Sequence, residues 1–70
     1  MGIDERARLK KLLSYWIEHN KEHSQEFKEW AEKAKSLGEA QIAEELRQAA
    51  QTMDKASALL AHSLERLKEG

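Results

Sequence analysis

The sequence predicts an all-α fold, an antiparallel two-helix hairpin, and three observations carry that prediction. The 70 residues contain no proline and are rich in Ala, Leu, Glu, Lys, Gln and Arg, all good helix formers. Of the three glycines, Gly2 and Gly70 are terminal, so Gly38 alone interrupts the interior. On both sides of Gly38, apolar and seam-compatible residues recur at alternating steps of four and three, the spacing of a helix that packs along one stripe.

The first helix is expected over residues 4–36. Its repeat runs through Leu9, Leu13, Trp16, Asn20, His23, Phe27, Trp30, Ala34 and Leu37. Asp4 is placed to cap its N-terminus. The turn falls at residues 37–39, where Gly38 suits the left-handed position that ends a helix. Ser36 and Glu39 have the spacing of a capping box, so a second helix can begin almost at once, at residue 40, and run to residue 68. Its repeat is Ile42, Leu46, Ala49, Met53, Ala56, Leu60, Ser63 and Leu67. So short a link makes the helices antiparallel neighbours. Folding at Gly38 sets Phe27 against Ala49, Trp30 against Leu46, Trp16 against Leu60 and Asn20 against Ala56, large residues meeting small ones. The whole chain, residues 1–70, reads as one helical domain.

The apolar arc of the first helix is wider than one neighbour can cover. Leu12, Leu13, Trp16, Ile17, Phe27, Trp30 and Ala31 spread well beyond a two-stranded stripe, and Leu59 and Leu64 flank the seam of the second helix. The hairpin is therefore expected to form a homodimeric four-helix bundle, or to dock on another protein. The competing architecture is a three-helix bundle with a break near Asn20, against which stands the lack of Gly or Pro there.

Composition narrows the function classes. Twelve Lys and Arg against thirteen Asp and Glu give a net charge of −1, so no basic excess exists to neutralise a phosphate backbone, and nucleic acid is not an expected partner. No apolar run approaches the roughly 20 residues that span a bilayer, and no signal-peptide core follows Met1. With no cysteine there is no disulfide, thiolate ligand or thiol nucleophile, a usage that suits the cytoplasm.

The densest chemistry lies at Glu18-His19-Asn20-Lys21-Glu22-His23-Ser24-Gln25-Glu26. Residues four apart on a helix stack above one another, so His19 and His23 share a direction. Such a pair can hold Zn, Ni, Co or Cu through neutral imidazoles, with Glu22 and Glu26 as further ligands or as acceptors that orient the rings. Glu18, Glu22 and Glu26 repel one another at this spacing, and a bound cation relieves that repulsion. The expected metal residues are His19, His23, Glu22 and Glu26, and the expected ion is divalent Ni, Co or Zn, held for storage, sensing or delivery. The plainer reading is a solvated edge on a ligand-free oligomerisation or docking module.

Other candidates weigh less. His19-x-x-Glu22 and His23-x-x-Glu26 reverse the order of the di-iron signature, and the second helix offers no matching inward carboxylate. A haem held by His23 and Met53 has little room beside Phe27 and Trp16. Asn20 on the seam suits a register-fixing role. His62 projects away from the seam, toward solvent. Trp16, Phe27 and Trp30 fit a core stripe better than a stacking platform, with Tyr15 at its flank. No activated serine and no phosphate loop is present, so no enzyme is expected.

Tyr15-Trp16-Ile17-Glu18-His19-Asn20-Lys21-Glu22-His23, continuing to Phe27-Lys28-Glu29-Trp30-Ala31 and including Ala43-Glu44-Glu45-Leu46, resembles a family of small prokaryotic helical domains of unknown function with a YWIEHN-x-EH core. Similar segments are sometimes attached to metal-handling proteins. The resemblance implies a metal-related role for His19 and His23 and carries no activity.

Overall fold

A computed structural model describes residues 3–69, with side chains from residue 4 onward. Two helices, α1 (Ile3–Ser36) and α2 (Ala40–Glu69), pack along their full length into a rod 53 × 15 × 14 Å. α1 runs unbroken through Asn20, so the three-helix alternative does not hold. Asp4 lies inside the first turn with Glu5 rather than ahead of it. There the two carboxylates favour the positive end of the helix dipole, as Lys33 and Lys35 favour the negative end.

The turn is built on Gly38, whose φ of 83° lies in the left-handed region. The Glu39 amide donates to the Ala34 carbonyl (2.9 Å) and the Gly38 amide to the Lys35 carbonyl (3.0 Å). This is the paired closure that satisfies the last carbonyls of a helix. The expected capping box does not form. Ser36 remains in α1 and its hydroxyl donates to the Glu32 carbonyl (3.2 Å). Glu39 caps α2 with its backbone instead, its carbonyl accepting from the Ala43 amide at 3.0 Å.

The seam differs from the expected one by a small rotation of both helices. Its buried residues are Leu13, Ser24, Ala31 and Ala34 on α1, and Ala43, Ala50 and Ser57 on α2. Ile17, Ser24 and Ala31 thus take the places assigned to Trp16, His23 and Trp30, while Ala43, Ala50 and Ser57 replace Ile42, Ala49 and Ala56. The reason is size. Alanine and serine at seven-residue intervals let two backbones approach closely, whereas an indole in the same place would hold them apart. Among the described residues, no large side chain is fully buried. Trp16 is left 39% exposed, Trp30 53% and Ile42 47%. Asn20 is half-buried, and the Ser57 hydroxyl is buried without a partner among the described residues. An unpaired hydroxyl of this kind costs about 1–3 kcal/mol.

That rotation gives the rod two unlike faces. On one, Lys28 Nζ lies 3.5 Å from Asp54 Oδ2 and Arg47 Nη2 lies 3.3 Å from Glu32 Oε2, both across the seam. Heptad geometry puts Trp16, His23 and Trp30 in one column on the opposite flank of α1, with Leu12 and His19 beside them. Ile42, Ala49 and Ala56 form the matching column of α2. Among the described residues, no helix is long and apolar enough to cross a membrane.

Candidate metal centre

Because α1 is continuous, Tyr15, His19, His23 and Phe27 stack at four-residue steps along its apolar flank. Tyr15 and His19 lie nearly parallel, 16° apart with centroids at 5.5 Å. His19 and His23 meet edge to face at 4.4 Å and 83°. Phe27 follows at 6.0 Å from His23. The outer rings limit how far the two imidazoles can swing, which favours a defined geometry over a floppy pair.

The two Nε2 atoms point at each other, 3.0 Å apart. In the neutral pair one Nε2–H donates to the other nitrogen. The same spacing is that of two ligands on one metal: at a metal–nitrogen distance of about 2.1 Å, an ion between them subtends an angle of about 90°. That angle is octahedral, and opening to the tetrahedral value requires the nitrogens to part by only about 0.4 Å. His19 is exposed and the side chain of His23 is 39% exposed, so an ion can reach both.

The carboxylates divide. Glu26 Oε1 lies 3.7 Å from His23 Nδ1, too far for a hydrogen bond yet on the nitrogen that faces away from His19. From there it favours the Nδ1–H tautomer and leaves Nε2 free to ligate. Glu22 does not join the pair. It lines a shallow depression with Lys21, Gln25, Glu26 and Glu29 on the back of α1. Among the described residues, no group of three or more metal-binding side chains converges on one point. One chain therefore offers two ligands, where a metal site needs four to six. His62 is exposed and stands apart, and the seam-facing placement that would oppose His23 to Met53 is not the one observed.

A second polar cluster escaped sequence reasoning. Ser24, 2% exposed, donates to Asp54 Oδ1 at 2.6 Å and lies 3.3 Å from the Ala50 carbonyl oxygen. The Ser24 hydrogen bond, with help from the charge of Lys28, holds the Asp54 carboxyl below its ordinary range against the opposing effect of desolvation. Its signal in the sequence was the seven-residue spacing of Ser24, Ala31 and Gly38, legible only once small residues are counted as seam formers.

Residues 9–67 match the family described as Domain of unknown function (DUF8180). No curated protein and no solved structure matches the chain.

Proposed function

The chain belongs to the DUF8180 family, and we propose that it is a small cytoplasmic helical module that binds a divalent transition ion, Ni, Co or Zn, through His19 and His23. The observation that carries this reading is the 3.0 Å approach of the two Nε2 atoms, a bite that fits one ion. Glu26 supports His23 from its far nitrogen, and Glu22 contributes negative potential from the back of the helix. The hairpins pair into a four-helix bundle through the apolar flank, and no catalytic step is involved. Storage, sensing and delivery all suit a site this open.

The test is calorimetric titration of chelator-stripped protein with Ni²⁺, Co²⁺ and Zn²⁺. Saturable binding is expected for at least one ion. The double variant His19→Ala, His23→Ala abolishes it, and with it the ligand-linked stabilisation, about 2.7 kcal/mol at a hundredfold excess over Kd, that raises the melting temperature. If no ion binds at millimolar concentration, the uncovered Trp16–Trp30 flank favours the other reading, a ligand-free oligomerisation or docking module.

A further inference from the structure

We propose that the partner of this site is a second copy of the chain, placed so that the two α1 helices cross antiparallel at the height of Lys21 and one ion is held between four imidazoles. This rests on the reading of His19 and His23 as ligands. It goes further by fixing the partner and its register, and by making assembly depend on the ion.

Four observations converge. The site is incomplete in one chain: two nitrogens are present and no third donor converges on them among the described residues. The site also stands on a partly exposed apolar flank, where Trp16, Trp30, Ile42 and Leu12 are 39%, 53%, 47% and 38% exposed and only the Lys33 ammonium, 4.2 Å over the Trp30 ring, lies against an indole face among the described residues. Tryptophan is among the residue types that most often anchor an interface.

Symmetry then selects one arrangement. Two hairpins can stack flank to flank about a two-fold axis in only two ways. With the axis along the rod, α1 lies over α2 of the second copy, and the histidine pairs stay diagonal and apart. With the axis across the rod, α1 lies antiparallel on α1 and α2 on α2. Only this second arrangement brings the pairs together, and it does so when the axis crosses the apolar flank at the height of Lys21, whose own side chain lies on the back of α1. His19 of each copy then lies opposite His23 of the other, Trp16 opposite Glu26, and Leu12 opposite Trp30 about 13.5 Å to either side of the axis.

The lengths agree with this register. Lys21 lies close to the midpoint of α1 (Ile3–Ser36), and Lys55, which the hairpin places at the same height, lies close to the midpoint of α2 (Ala40–Glu69). An axis there overlaps the two rods almost end to end. An axis elsewhere would leave apolar flank uncovered. The two Glu26 carboxylates, one behind each His23, balance the charge of the ion.

The chain has no cysteine, so a single label can be placed cleanly. The experiment uses full-length Lys35→Cys carrying a nitroxide on the polar flank, with Zn²⁺ as the probe. Zinc is expected to strengthen self-association at least tenfold by sedimentation equilibrium. In the zinc-bound dimer the antiparallel register sets the labels at least about 42 Å apart by pulsed electron resonance, from a rise of 1.5 Å per residue. The unlabelled double variant His19→Ala, His23→Ala is expected to lose the zinc effect on mass. Calorimetric zinc binding with no change in mass overturns the dimeric site while leaving the metal reading intact. A zinc-bound dimer with labels only about 20 Å apart, the width of a parallel bundle, overturns the register. Absence of zinc binding removes both.

Discussion

Along one long face of the hairpin, Ser24, Lys28, Glu32, Arg47 and Asp54 reach across the seam and bind α1 to α2. Along the other, Trp16, Trp30 and Ile42 stand about half exposed, and no ion pair joins the two helices there among the described residues. The first face finishes its own chemistry: Lys28 meets Asp54 and Arg47 meets Glu32 within the chain. The second face leaves apolar surface wet and two imidazoles whose one hydrogen bond among the described residues is to each other. A hairpin with one finished face and one unfinished face holds itself together on one side, and the proposed site lies on the other.

The seam beneath both faces gives the largest expected effect. Leu13, 5% exposed, is the one large apolar residue that is buried among the described residues. Leu13→Ala is expected to lower the stability of the hairpin by about 2–5 kcal/mol in urea denaturation, through lost burial and the cavity left behind. Both faces should fail together, because each depends on the same backbone approach.

The unfinished face should respond in assembly and not in fold. Trp16→Gln with Trp30→Gln is expected to weaken self-association more than about tenfold by sedimentation, since each anchor lost from an interface is commonly worth 1–2 kcal/mol or more. The helical circular dichroism of the dilute monomer should be retained. A double variant that unfolds instead would show that the tryptophans belong to the hairpin's own core.

The finished face should respond to acid. The carboxyl of Asp54 is held below its ordinary value in the folded chain, chiefly by the Ser24 hydroxyl. Its contribution to stability is therefore present above the unfolded carboxylate range and is lost as pH falls through the lowered folded value. Melting temperature measured from pH 7 down to pH 2 should fall on that limb. Ser24→Ala should lower the neutral plateau by less than Leu13→Ala does and flatten the acid limb, because the main cause of the shift is gone. An unchanged acid limb would assign the loss to other carboxylates. The smallest effect is expected at Arg47. Its bridges to Glu32 and Glu44 are solvent-screened, so Arg47→Ala should cost no more than about 1 kcal/mol.

The two faces also differ in how far the sequence reveals them. The helices, the turn and the positive φ of Gly38 follow from local rules that a single chain states openly. The histidine pair is legible for the same reason: residues at i and i+4 meet whatever the tertiary context. The seam register is not local. A four-three repeat drawn through the large residues puts Trp16, His23 and Trp30 at the centre, whereas close packing of two helices ranks positions by size and admits Ser24 and Ala31. The same rule hides the Ser24–Asp54 bond, since a serine amid polar residues reads as surface. Glu22 was grouped with the histidines on sequence proximity, yet a step of three from His19 and one from His23 carries it to the back of α1.

The central claim is that the His19 and His23 Nε2 atoms form one ion-binding bite. The most direct measurement is the ¹⁵N resonance of each imidazole in labelled protein, followed during zinc titration. Concerted shifts of the Nε2 signals of His19 and His23, saturating together while those of His62 stay fixed, are the expected result. Zinc that leaves both signals unmoved, or that shifts His62 equally, would contradict it.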